Sequence, residues 1–184
     1  MSSGGFKIRN KKEVHFLTLT VVEWVDVFTR KEYRDILLDS LRFCQKSKGL
    51  LLHGWCIMSN HMHLLGSSAK EDLSGTLRDF KKFTSKKIIE AILNNARESR
   101  KDWMLQIFKE AGKRNSRNSD YQFWRQDNQP KECYSPEFSV QKLNYIHNNL
   151  VEAGIVDKPE EYLYSSARDY HYRKHCGLLK IAFI

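Results

Sequence analysis

Two histidines separated by one apolar residue, His61-Met62-His63, stand within the run Ile57-Met58-Ser59-Asn60-His61-Met62-His63-Leu64-Leu65. On a strand, residues two apart face the same way. Both imidazoles would therefore share one face, with Met62 and Leu64 on the other, making a two-point metal clamp on a rigid element. Far downstream, Leu143-Asn144-Tyr145-Ile146-His147-Asn148-Asn149 places a tyrosine and an asparagine four residues apart. At about 100° per residue they stack on one helix face. Val140, Leu143, Ile146 and Leu150 form the apolar stripe opposite, and His147 falls close to that stripe, as a packing or capping residue would. A nucleotide hydrolase with a longer histidine alternation would need a further histidine where Leu65 stands.

The elements that must position these groups can be read from periodicity and punctuation. Val14–Val22 is β-branched and apolar and reads as a strand; Phe28–Ser47 has helical spacing and stops at Gly49. Leu50–Met58 is a second strand, and Ser59-Asn60 turns into a third at His61–Gly66. A long amphipathic helix follows over Leu73–Leu93, then a shorter one over Asp102–Ala111. Gly112–Asp120 is a polar, basic loop, and Tyr121–Arg125 reads as a fourth strand. Pro136 opens a helix that should run to Ala153 and end at Gly154, and Pro159 starts a last short helix through Tyr162. The strand and helix order matches an α+β, ferredoxin-like (split βαβ) antiparallel sheet, with an additional C-terminal helix on its open face. Residues 1–12 are expected to be a basic tail and 13–184 one domain.

The chain carries 31 Lys+Arg against 22 Asp+Glu, a net charge of +9 in 184 residues, which favours a polyanionic partner. On the long helix, Arg78, Lys82 and Lys86 recur every four residues, with Lys81 and Lys87 beside them. Lys113, Arg114 and Arg117 in the polar loop, with Trp124 and Arg125 nearby, would extend that stripe. A solvated helix face is the usual explanation of such a stripe; beside a metal-and-tyrosine site it becomes a phosphate track, and charge combined with aromatic stacking suits single-stranded or hairpin DNA. Cys44, Cys56, Cys133 and Cys176 lie far apart with no CxxC pair, arguing against a zinc knuckle and fitting a reducing compartment. The polar start has no apolar signal region, and no apolar run is long enough to span a bilayer. A cytoplasmic location without membrane contact is expected.

Taken together, the segments Ile57–Leu65, Leu77–Ser85, Phe123-Trp124-Arg125 and Tyr145–Val156, and more weakly Tyr164–Tyr170, resemble the single-tyrosine HUH transposases. The similarity is greatest to the REP-associated tyrosine transposases. The resemblance implies that His61 and His63 are metal ligands, that Asn149 is the polar third ligand, and that Tyr145 is the nucleophile. It implies a divalent cation, cleavage and rejoining of hairpin-flanked single strands through a 5′-phosphotyrosine, and a monomer or homodimer. Ser59 and Leu150 depart from the family, which often has proline at both positions. The amide and two imidazoles leave open positions that suit Mg²⁺ or Mn²⁺ better than a closed structural zinc. The competing expectation is a nucleic-acid-binding or regulatory module that keeps the fold without turnover.

Overall fold

The computed structural model describes residue 8 and residues 10–115, 120–127 and 130–184. Four strands, β1 (His15–Thr20), β2 (Leu50–Ile57), β3 (His61–Ser68) and β4 (Lys131–Glu132), form an antiparallel sheet in the order β2-β3-β1-β4. The α+β architecture and the pairing of the first and third strands at the sheet centre are as the sequence order required.

Each face of the sheet has its own cover. Leu17 and Leu19 of β1 and Met62 and Leu64 of β3 look into the larger core. There they meet α1 (Lys31–Phe43), α2 (Leu73–Asn94) and α3 (Lys101–Lys113) through residues such as Leu37, Leu41, Leu77, Phe80 and Phe108. The opposite face offers Phe16, Cys56 and Leu65 to α4 (Pro136–Glu152), which answers with Leu143, Ile146 and Leu150. In β2 the large inward residues change phase, from Leu50 and Leu52 to Trp55 and Ile57. A bulge between Leu52 and Gly54 absorbs the extra residue.

Helix ends follow their local chemistry. Asp72 caps α2 by accepting from Gly75 N–H (2.9 Å). Ser135 caps α4 by accepting from Phe138 N–H (3.2 Å), with Pro136 in the first turn and Gly154 past the end at φ +67°. The predicted Phe28–Ser47 helix is shorter than expected at its start, and its last turn (Cys44–Lys48) is a π turn closed by Gly49 in the left-handed region.

Three expectations need correction. Tyr121–Arg125 is not a strand: a lone bridge joins Trp124 to Val21. Phe123 and Trp124 are consecutive yet both buried, with rings nearly perpendicular, so the alternation a strand requires is broken. The fourth strand is instead Lys131–Glu132, paired with His15 and Phe16. Val140 is 45% exposed rather than on the packed stripe of α4, its place being taken by buried His147. After the short Pro159–Glu161 turn the chain also forms α5 (Ala167–Tyr172), where no helix was expected.

Gly54 lies directly under α4: a Cβ there would lie 2.6 Å from Leu143 Cδ1 and 3.6 Å from Ile146 Cδ1. Gly54→Ala should cost about 1–3 kcal/mol by overpacking, measured by urea denaturation. Unchanged stability would show that the contact tolerates a methyl group.

Candidate metal and nucleophile site

His61 and His63 emerge on the α4 side of β3, the face opposite Met62 and Leu64. Register places Thr18 of β1 directly across from His63, and Thr18 Oγ1 lies 3.0 Å from His63 Nδ1. Phe16 stacks on the His63 ring at 5.4 Å and 24°. Asn60, at the turn between β2 and β3, brings Oδ1 to 2.7 Å from His61 Nδ1. A carbonyl oxygen only accepts, so His61 Nδ1 carries the proton and its Nε2 presents a lone pair.

The two Nε2 atoms face each other at 3.2 Å, and the terminal amide of Asn149 reaches to 2.9 Å from His63 Nε2. No placement of protons satisfies both contacts as drawn. If His63 Nε2 accepts from the Asn149 NH₂, two lone pairs face across 3.2 Å; if it carries a proton, that N–H opposes the NH₂. A half-turn of the amide brings its oxygen into the same place, giving three donors that converge on one point. Their chemistry fits a divalent cation with open coordination positions. Among the described residues no group of three or more His, Cys, Asp or Glu is placed to hold a metal, so this mixed set is the candidate.

Burial sets the protonation of these rings. His63 is 3% exposed, and its pKa is pushed down to about 3 by desolvation and then by the neighbouring His61, which burial also lowers. Neutral imidazoles are the form that can donate to a cation.

Tyr145 projects from α4 one turn before Asn149, its ring 5.4 Å from His63 and 5.7 Å from Phe16, both edge-on. It is 45% exposed. Tyr134, another exposed tyrosine, stacks on Phe138 at the start of the helix and makes no ring contact with the histidines. His147, between Tyr145 and Asn149, points the other way: it is buried and its Nε2 lies 2.9 Å from Ser166 Oγ. Ser166 in turn accepts from Trp55 N–H of β2 (2.9 Å). The helix is thus tied to the sheet through the segment that precedes α5.

The basic residues divide. Arg78, Lys82 and Lys86 are exposed on α2, Arg78 paired with Asp79 and Lys86 4.0 Å from Glu90. Lys81 turns inward instead, donating to the Arg125 carbonyl at 2.6 Å, and burial lowers its pKa to about 8. Arg114 pairs with Glu23 at 3.1 Å and Arg125 with Asp127 at 3.2 Å. Arg117 lies outside the described residues. Trp124 is not available for stacking: it is 4% exposed and its indole N–H donates to Thr84 Oγ1 at 3.0 Å. Residues that sequence reasoning missed are Phe16, Lys142, whose ammonium lies 5.8 Å from the Tyr145 ring centroid, and Trp24, whose ring meets His61 edge-on at 5.9 Å. Trp24 follows a strand with no motif around it, and only the fold brings it to the site.

His147, like His63, is held neutral by burial, its pKa lowered to about 4. An unfolded histidine titrates near its ordinary 6.5, so below that pH the unfolded chain takes up protons that the folded chain refuses. Stability should be full above about pH 6.5 and fall as pH drops toward 4, by up to roughly 1.4 kcal/mol per unit for each such ring. Urea midpoints in EDTA at pH 7 and pH 5 measure this, and equal midpoints would contradict neutral burial.

A profile of the family described as "Transposase IS200 like" matches residues 10–110, a range that contains the histidine pair and ends before α4. No curated protein matches. A solved REP-associated tyrosine transposase bound to a REP hairpin superposes with TM-score 0.65 over 100% of this chain and 92% of its own, at 16% identity. A putative transposase from Deinococcus radiodurans gives TM-score 0.38 over 80% of this chain and 97% of its own, at 17% identity. The first shares the fold; the second is too dissimilar in structure to support an argument. No helix among the described residues is long and apolar enough to cross a membrane.

Proposed function

The chain belongs to the IS200-like transposase family, and from that premise we propose that it is a metal-dependent single-tyrosine enzyme that cuts and rejoins hairpin-flanked single-stranded DNA. The observation that carries this reading is the convergence of Tyr145, His61, His63 and Asn149 on the α4 side of the central strand β3. A DNA-bound structure of the same fold adds weight to a hairpin substrate.

Tyr145 Oη attacks the scissile phosphorus as its proton leaves to solvent, and the bond from phosphorus to the 3′ oxygen breaks. The products are a phosphodiester between Tyr145 and the 5′ end and a free 3′-OH, which takes up a proton. Rejoining is the reverse, with a second 3′-OH displacing the phenol, so no nucleotide cofactor is consumed. Mg²⁺ or Mn²⁺ held by His61 Nε2, His63 Nε2 and the Asn149 oxygen would supply Lewis-acid charge at the phosphate. Thr18 and Asn60 hold the two imidazoles in register, and Phe16 fixes the plane of His63.

Tyr145→Phe should abolish a covalent protein–DNA band on a denaturing gel with Mn²⁺ and labelled hairpin substrate, while binding stays near wild type. Continued cleavage by this variant would move the nucleophile to water or to Tyr134.

His63→Ala should remove most Mn²⁺ affinity without unfolding the chain, and Asn149→Ala should show a milder loss because water can replace one amide oxygen. Titration calorimetry measures both; wild-type affinity in both variants would take the cation away from this site.

Phosphate neutralisation along α2 should govern first encounter. Replacing Lys82 and Lys86 with alanine should flatten the slope of log K against log salt by roughly 1.4, at about 0.7 for each contact with a single strand. Fluorescence anisotropy across a salt series decides this, and an unchanged slope would make the stripe a solvated helix face.

A further inference from the structure

Trp24 is placed in a way that folding alone does not reward. It is 53% exposed, although indole is among the costliest surfaces to leave in water. Its backbone lies in the left-handed region at φ 56°, directly after Glu23 at φ 51°, a conformation that bulky side chains adopt at steric cost. Glycine or asparagine would relieve that cost. The ring does not fill a core. It stands edge-on to His61 at 5.9 Å, and the Arg125 guanidinium lies 5.8 Å from its centroid. Asp127 holds that guanidinium through Nε and Nη2, both at 3.2 Å.

Beside Trp24 opens a cavity of about 550 Å³, into which Arg114, Arg125 and Gln126 also face. Trp24 links this hollow to His61, and the hollow combines a flat aromatic surface, an amide and two guanidinium groups, each paired with a carboxylate that also lines it, Arg114 with Glu23 and Arg125 with Asp127. A nucleobase offers the matching features: a π face for the indole, and donor and acceptor edges for the amide and the paired guanidinium and carboxylate groups. The strain falls on the residue whose ring touches the candidate metal site, as expected where backbone strain is kept for binding.

We propose that Trp24 and the cavity beside it receive one unpaired base of the strand flanking the scissile phosphate, so that stacking on the indole sets which phosphate meets Tyr145. This rests on the DNA-cutting reading above and adds a base site that neither the metal set nor the α2 stripe supplies.

The test uses the full chain in EDTA and a DNA hairpin with a single-stranded thymidine flank, in which one abasic nucleotide is stepped along the flank. For wild type, one position should weaken binding by about 5- to 150-fold, the range of base–aromatic stacking. Trp24→Asn should bind the intact flank as weakly as wild type binds that abasic probe, and should show no further loss with it. Its thermal midpoint should equal or exceed that of wild type, since the strain is relieved; Trp24→Phe should retain part of the base dependence. An abasic penalty that persists in Trp24→Asn, or none at any position in wild type, overturns the proposal. Binding and cutting separate cleanly: base-dependent binding without a covalent adduct in Mn²⁺ would keep the base site and overturn cutting. An adduct without base dependence would do the reverse.

Discussion

Leu143, Ile146 and Leu150 press α4 onto Phe16, Cys56 and Leu65, over a strand that places a glycine directly under the helix. On this contact the rest of the site depends. The sheet could bury one face against α1, α2 and α3 and still leave His61 and His63 in water. Laying α4 across the second face dries His63, keeps it neutral, and brings Asn149 to 2.9 Å from its Nε2 and the Tyr145 ring to 5.4 Å from its own. Gly54 sets how near the helix can lie, and the His147–Ser166 hydrogen bond ties it to β2 on its far side. On the proposed function, the helix would serve at once as core, ligand carrier and nucleophile carrier.

Its apolar footprint is small, and that is a functional compromise. The larger core holds most of the buried aliphatic and aromatic side chains, whereas the α4 side has a short cluster flanked by polar groups. Such a face leaves room for the imidazoles, Thr18 and the amide, and keeps Tyr145 partly open to a substrate. The groups around it are charged or aromatic: Lys142 near Tyr145, Arg125 over Trp24, and the α2 cations beyond. On the proposed function, electrostatic attraction would deliver a strand to a dry centre without placing unpaired cations inside it.

Much of this was legible in the sequence because it depends on local period and punctuation. The alternation around His61 and His63 identified both the strand and its two faces, and Pro136 and Gly154 marked the ends of α4. The i,i+4 spacing of Tyr145 and Asn149 was enough to put them on one side of the helix. What failed depends on partners distant in sequence. Trp124 looked like part of a basic, aromatic DNA track, but Thr84, forty residues away, takes its indole N–H. Lys131 and Glu132 carry no strand signal, being two exposed charges that pair only because β1 has a free edge. Trp24 and Phe16 reach the histidines through strand register and an unusual turn, and no motif marks either.

The central claim is that the hydroxyl brought to the histidine pair by α4 becomes the covalent attachment point of DNA. The most direct measurement is mass spectrometry of tryptic peptides after reaction with hairpin-flanked single strands and Mn²⁺, followed by nuclease trimming. The account requires a nucleotide linked through its 5′ phosphate to Tyr145, in the peptide that begins at Leu143. Attachment at Tyr134 or elsewhere, or cleavage that leaves every tyrosine unmodified, would contradict it.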